Sequence, residues 1–145
     1  MTILDANLLL YAYNADAPQQ KAAAKWLTEL VASGEAIGLP WITAWAFIRI
    51  STNPRIWNNP LPVSAAFQIV EEWLAQPTVM PLGPGLRHWD LLKDVVMQHK
   101  AAGPLFTDAI LAAHALENGA ALASTDQDFS RFKRVRWVNP LDQDS

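Results

Sequence analysis

Three aspartates stand at positions where apolar strands end or where helices begin, and a fourth lies close to one of them. Asp5 and Asp126 each follow a short apolar run of the kind that forms a strand buried on both faces. Asp108 lies in the first turn of a predicted helix, and Asp128 is two residues beyond Asp126. Because the carboxyl ends of parallel strands share one edge of a sheet, we expect these carboxylates to meet at that edge.

Carboxylates gathered in this way need a counter-charge. Two unit negative charges about 4 Å apart repel by roughly 1 to 4 kcal/mol, depending on the effective dielectric constant. The chain contains no cysteine, and a site built from carboxylate oxygens favours Mg²⁺ or Mn²⁺ over zinc. A divalent ion held by carboxylates can activate water and stabilise charge on a phosphoryl oxygen, so the predicted chemistry is phosphodiester hydrolysis.

Each aspartate also has a purely structural interpretation. A carboxylate between a strand and a helix accepts hydrogen bonds from free N–H groups and interacts favourably with the helix dipole, which applies to Asp5 and Asp126. Asp108 has a similar place in its helix, and Asp128 fits a solvated turn. Capping alone gives no reason for acids to gather at the centre of one edge. Both interpretations remain open for each residue taken singly.

The histidines do not form a recognisable metal motif. His88 and His99 are eleven residues apart on one predicted helix and lack a ligand spacing such as i, i+4. His114 and Glu117 follow Asp108 by six and nine residues, which turns both side chains away from it on a helix. We therefore interpret His114 as a structural histidine and expect no zinc site.

Strand and helix patterns alternate along the chain, which is typical of a doubly wound α/β sheet. We predict one domain over residues 1–145, with a mostly parallel sheet of about five short strands flanked by helices. The predicted strands are 2–4, 36–39, 78–82, 120–124 and 135–138. The predicted helices are 8–13, 18–33, 40–53, 63–75, 86–100 and 105–118.

Composition argues against several classes of protein. The formal net charge of −3 and the pI near 5.5 differ from the basic excess common in nucleic-acid-binding domains. A polyanion would therefore have to be held by a local patch or by a metal ion. No apolar run approaches the roughly 20 residues that cross a bilayer, and the amino terminus lacks the pattern of a secretory signal. We expect a cytoplasmic protein without membrane contact.

Several segments resemble a known family when they are taken together and in order. The acidic motifs of PIN-domain ribonucleases resemble Ile-Leu-Asp-Ala-Asn at 3–7, Phe-Thr-Asp-Ala-Ile-Leu-Ala-Ala at 106–113 and Ala-Ser-Thr-Asp-Gln-Asp-Phe at 123–129. Two further segments of the chain resemble VapC-type toxins. They are Arg-Ile-Ser-Thr-Asn-Pro-Arg at 49–55 and Trp-Val-Asn-Pro-Leu at 137–141. The resemblance implies a single PIN-like domain that acts as a Mg²⁺-dependent endoribonuclease toxin, forms a homodimer and binds a cognate antitoxin.

Matched residue by residue, the resemblance assigns roles within the acidic site. It implies that Asp5, Asp108 and Asp126 bind Mg²⁺, or Mn²⁺ in its place. Asp128 is expected to join the catalytic group. Three further polar residues are expected either to orient a carboxylate or only to cap and turn the chain: Asn7, Ser124 and Thr125.

A ribonuclease must also hold a phosphate backbone, and the chain offers basic side chains for this purpose. The candidate RNA-binding residues are Arg49, Arg55, Arg131, Lys133, Arg134 and Arg136. The last four follow the third acidic motif, where they would flank the cleft. The alternative is a solvated turn and an edge strand protected by charge.

Seven tryptophans are many for this length. Trp41 and Trp57 stand beside prolines, and we expect structural roles for both, with base stacking or partner anchoring as the alternative. The tryptophans that fall on apolar helix faces are predicted to lie in the core: Trp26, Trp45, Trp73 and Trp89.

One position departs from the family pattern. PIN domains usually carry a glutamate on the helix after the second strand, and the nearest matching position here is Ala46. A catalytically weak or inactive PIN domain that acts through protein binding is therefore an alternative. A receiver-like regulatory module is another, although its phosphorylatable aspartate would stand where Leu39 or Leu82 does. Haloacid dehalogenase phosphatases are excluded by Asn7, where their motif needs a second aspartate.

Overall fold

The computed structural model describes residues 1–142 as a five-stranded sheet covered by helices. The strands are β1 (Thr2–Leu4), β2 (Ile37–Pro40), β3 (Val79–Leu82), β4 (Ala121–Ala123) and β5 (Arg136–Val138). The α-helices are α1 (Ala6–Tyr13), α2 (Gln20–Ala32), α3 (Trp41–Ser51), α4 (Val63–Leu74), α5 (His88–His99) and α6 (Leu105–Asn118). A 3₁₀-helix, η1, spans Gln127–Arg131. The predicted α/β fold with about five short strands is confirmed.

The strand order places the acidic motifs at the middle of the sheet. All strands pair in parallel in the order β3-β2-β1-β4-β5, so the chain winds outward in one direction from β1 and in the other from β4. Leu4 pairs with Ala123, and the amide of Asp5 donates to the carbonyl of Ala123 at 3.0 Å. Asp5 and Ser124 therefore leave the sheet side by side, at the crevice where α/β folds of this kind bind ligands.

The residues of β1 and β2 explain why these short runs become central strands. All are buried, and their side chains are apolar apart from Thr2. A Cβ added at Gly38 would lie 2.7 Å from the Leu82 side chain and 2.9 Å from that of Ile3. Only glycine therefore lets the neighbouring strands bring these large side chains together over β2.

Each face of the sheet has its own apolar core. α5 and α6 cover one face, where alanines of α6 allow a close approach to the strands, and α1 to α4 contribute to the core on the other face. Phe47 and Phe129 are fully buried, one in each core. The longest described helix is α6 with 14 residues, and none in residues 1–142 is long and apolar enough to span a membrane.

Two of the tryptophan predictions are wrong. Trp45 on α3 and Trp89 on α5 are 65% and 73% exposed. Both helices carry apolar residues on more than the face that meets the sheet, so periodicity alone does not tell which residues are covered. Three other tryptophans agree with the predictions, because Trp73 and Trp57 are buried and Trp26 packs against the core.

Candidate active site

Asp5 is fixed at the end of β1 by three donors. It is the N-cap of α1, where its Oδ1 accepts from the backbone amide of Ala6 at 2.7 Å. Its Oδ2 accepts from the Ser124 hydroxyl at 2.7 Å and from the Asn7 amide at 3.3 Å. The capping interpretation is thus correct for Asp5, and the same hydrogen bonds hold its carboxylate in one orientation.

Ser124 joins the ends of the two central strands. It is fully buried, and besides donating to Asp5 its Oγ accepts from the Asp126 backbone amide and from Asn7 Nδ2, both at 3.0 Å. These contacts use the one donor and both acceptor positions of a hydroxyl. Asn7 Oδ1 also accepts from the Thr125 amide at 3.4 Å. The sequence singled out these residues, but not the central place of Ser124 among them.

Three carboxylates from α6 and the turn after β4 form a close group. Oxygen atoms of Asp108, Asp126 and Asp128 all lie within 4.8 Å of one another. Asp126 also caps η1, with Oδ1 accepting from the Asp128 amide at 2.9 Å. Asp5 is not one of these three carboxylates, but it lies close enough for its charge to raise the pKa of Asp108. The structure thus brings all four predicted aspartates to one edge of the sheet.

The pKa values of two carboxyl groups record this crowding. The pKa of Asp108 is raised to about 7, first by burial and then by the charges of Asp126, Asp5 and Asp128, against a smaller lowering by Arg131. Burial also raises the pKa of Asp5, against the hydrogen bonds from Ser124 and Ala6. Both groups therefore resist ionisation without a nearby cation. An all-oxygen donor set short of positive charge fits a hard divalent ion such as Mg²⁺.

The basic candidates lie in different parts of the molecule. Arg131 contacts Asp128 at 3.3 Å, and the exposed Lys133 and Arg134 lie on the segment that returns from η1 to β5. Arg136 does not flank the cleft, because it starts β5 beside Ala121 and donates to a carbonyl before β4, at the opposite edge. Two further exposed residues lie at and just after the end of α3: Arg49 and Arg55.

Comparison with known proteins identifies the family. A model of the PIN domain matches residues 2–135. The chain belongs to the PIN-domain family. This PIN domain is 38% identical to ribonuclease VapC37 of Mycobacterium tuberculosis over 140 residues, with 97% of each chain covered. It is 40% identical to VapC ribonuclease Mb2897 of Mycobacterium bovis over 142 residues, covering 98% of this chain and 97% of that protein.

Solved structures share the same PIN fold. A toxin–antitoxin complex from Klebsiella pneumoniae contains a chain that superposes with a TM-score of 0.64 at 15% identity, covering 98% of this chain and 99% of that one. At this identity the likeness concerns the fold alone. The resemblance read from the three acidic segments is thus confirmed, and the PIN domain accounts for nearly the whole chain.

Proposed function

We propose that this chain is a Mg²⁺-dependent endoribonuclease and the toxin of a type II toxin–antitoxin pair, acting in the cytoplasm. The observation that carries the proposal is the group of three carboxylates within 4.8 Å, set beside Asp5 at the switch point of the sheet. Relatives that are 38% and 40% identical over nearly their whole length are named ribonucleases, which supports the same activity here.

The residues take distinct roles in this proposal. Asp5, Asp108 and Asp126 hold the metal ion, for which Mn²⁺ can substitute, and Asp128 completes the acidic group. When bound, the ion supplies positive charge for the phosphoryl oxygens and lowers the pKa of water. Ser124 and Asn7 keep the Asp5 carboxylate in place through the hydrogen bonds described above. Arg131 and its exposed basic neighbours hold the RNA backbone.

A cleavage assay tests this function. The full chain, purified free of antitoxin, is incubated with RNA and increasing Mg²⁺ or Mn²⁺, with a chelator as the blank. We expect metal-dependent internal cuts and no cleavage in the blank. RNA that stays intact at every metal concentration would contradict the nuclease and favour a PIN domain that acts only by binding a protein.

Ala46 gives that alternative a specific test. It lies one turn beyond Thr43 on α3, and Thr43 donates its hydroxyl to the carbonyl of Leu4 at the end of β1. Residues three apart share a helix face, so Ala46 faces the same part of the molecule as the acidic edge. If wild-type protein is inert, activity gained by Ala46→Glu would identify the missing carboxylate as the cause.

We expect Ser124→Ala to slow RNA cleavage by about 10- to 100-fold, the usual effect of removing a group that orients a metal ligand. The change deprives Asp5 Oδ2 of a donor and leaves the Asp126 amide unpaired, which should lower the free energy of unfolding by about 1–3 kcal/mol. Cleavage rates at saturating Mg²⁺ and thermal unfolding measure the two effects. Ser130→Ala, on the exposed side of η1, serves as the control. Cleavage by Ser124→Ala at the wild-type rate would show that Ser124 does not contribute to the active site.

We also propose a homodimer and a cognate antitoxin as partners. Large apolar side chains on neighbouring helices are exposed, namely Trp45, Trp89, Met97 and Phe106. Monomeric proteins seldom leave so many large apolar groups in water, so a second copy of the chain is the proposed cover. For the antitoxin, the acidic group favours a segment that carries arginine or lysine, because such a segment supplies the charge that the cluster lacks.

Trp45→Glu should weaken the proposed dimer by at least about 30-fold, as expected when an aromatic anchor in a buried interface is replaced by a charge. Light scattering coupled to gel filtration, over a dilution series, measures the change. Phe67→Glu is the matched control, because Phe67 is a 50% exposed aromatic residue on α4. A wild-type protein that is monomeric at every concentration would rule the dimer out.

A further inference from the structure

A second cluster of metal-ligand side chains lies between α5 and α6, apart from the aspartates. It consists of His88 at the start of α5 and of His114 and Glu117 on α6. One nitrogen or oxygen atom from each lies within 4.8 Å of the others. The two histidines are only 6% and 3% exposed, and the Glu117 side chain is 12% exposed. The sequence predicted no such group.

Both histidines have an unpaired polar atom inside the protein. Nδ1 of His88 and Nδ1 of His114 are buried and have no hydrogen-bond partner among residues 1–142. His88 Nδ1 is 3.8 Å from Glu117 Oε1, too far for a hydrogen bond, and the two rings lie 4.5 Å apart between centroids. Buried polar atoms are nearly always paired, so two unpaired ring nitrogens in a cluster that also holds a carboxylate indicate a missing partner.

The protonation states suit a cation rather than an ion pair. Burial lowers the pKa of His88, although Glu117 opposes this shift. Burial and the neighbouring His88 lower the pKa of His114 to about 4. Burial therefore disfavours the charged form of both rings, and the neutral imidazole is the form that binds a metal.

We propose that His88, His114 and Glu117 form a Zn²⁺ site that joins α5 to α6. Two imidazole nitrogens and one carboxylate oxygen are a donor set that zinc takes, whereas Mg²⁺ prefers oxygen ligands and water. A cavity of about 330 Å³ borders both histidines and gives space for a water molecule as the fourth ligand. This site does not depend on the proposed nuclease function.

One pair of the proposed ligand atoms is already near the spacing that a zinc ion requires. Zinc bonds of about 2.0–2.1 Å in a tetrahedron place ligand atoms roughly 3.4 Å apart, compared with 3.8 Å between His88 and Glu117. Glu117 is already oriented, because its two oxygens accept from the backbone amides of Gly85 at 2.9 Å and Arg87 at 3.0 Å. A Cβ at Gly85 would lie 2.5 Å from Glu117 Oε2, so glycine is required for this approach.

The test uses the full chain with any affinity tag removed and with Asp108→Asn and Asp126→Asn introduced, so that the acidic site does not compete. After chelator treatment, Zn²⁺ is titrated by calorimetry, and Co²⁺ is added as a spectroscopic probe of nitrogen-ligated tetrahedral geometry. We expect one ion per chain by elemental analysis. At about a hundredfold excess over Kd, Tm should rise by roughly 5–10 °C.

The chain contains only three histidines, and the third provides a matched control. His99 lies on α5 against Phe132, outside the cluster. His99→Asn should keep the site, whereas His114→Asn should weaken Zn²⁺ binding by more than about 100-fold. NMR of the protein with all three histidines intact gives a second measurement that does not depend on whether a histidine variant folds. Zinc should shift the ring signals of His88 and His114 and leave those of His99 unchanged. Absence of stoichiometric binding, or binding lost only in His99→Asn, overturns the proposal.

Discussion

Asp108→Asn should reduce RNA cleavage by more than about 100-fold at saturating Mg²⁺. Groups that merely orient a metal ligand are worth about 10- to 100-fold, so a direct ligand should be worth more. Asp108 is the member of the acidic group whose pKa responds to all three other aspartates. The substitution keeps the size of the side chain and removes its charge, so the effect should arise from lost metal binding and not from altered packing.

The cleavage rate with increasing Mg²⁺ measures this effect, and circular dichroism shows whether the variant folds. Asp94→Asn is the matched control, because Asp94 is an exposed aspartate in the middle of α5. The control should cut RNA like the wild type. Cleavage by Asp108→Asn within threefold of wild type would show that this carboxylate does not hold the metal, and would move the proposed centre elsewhere.

The contribution of Asp108 to the stability of the metal-free protein should fall as pH rises from about 4 to about 7. The pKa of Asp108 is about 7 in the folded chain, compared with 3.8 for the ordinary group. At this group the folded state keeps a proton that the unfolded state has already released, so the contribution of Asp108 to stability decreases across this window. Because the site is open to water, we expect a loss of about 1–2 kcal/mol, less than the full pKa shift would give.

Mg²⁺ should reverse this loss. An ion bound only by the folded state at about a hundred times its Kd adds roughly 2.7 kcal/mol, or about 5–10 °C in Tm. Thermal unfolding at pH 5 and pH 8, with and without Mg²⁺, measures the effect, which should be largest at pH 8. Asp108→Asn should lack this part of the pH dependence and should respond only weakly to Mg²⁺. The contributions of Asp5, His88 and His114 are present in both proteins and cancel in the comparison. A wild-type Tm that does not respond to Mg²⁺ at pH 8 would contradict a metal centre.

The acidic edge could be predicted because it follows from a local pattern and one topological rule. Two short apolar runs, each followed by an aspartate, indicate parallel strands that end at the same edge. The pairing of Leu4 with Ala123 realises this arrangement. The capping interpretation also proved correct for Asp5 and Asp126. Capping and a shared acidic edge are therefore compatible uses of the same carboxylates.

Rules based on residue spacing could not predict contacts between helices. His88 and His114 lie on different helices, and a ligand spacing such as i, i+4 detects pairs only within one helix. The rings meet because α5 and α6 pack side by side. The exposure of Trp45 and Trp89 could not be predicted for a related reason. An apolar helix face indicates which residues should be covered, but it does not tell whether the same chain or another one covers them.

The link between Asn7 and Ser124 also bears on how the protein is made. These residues are 117 positions apart in the chain, and the bond from Ser124 to Asp5 spans 119. Among the strands of residues 1–142, the first to be synthesised is the middle of the sheet, and its neighbour β4 is the fourth. A nascent or prematurely terminated chain that stops before β4 has no assembled acidic edge. The metal site proposed above can therefore form only after β4 has been made.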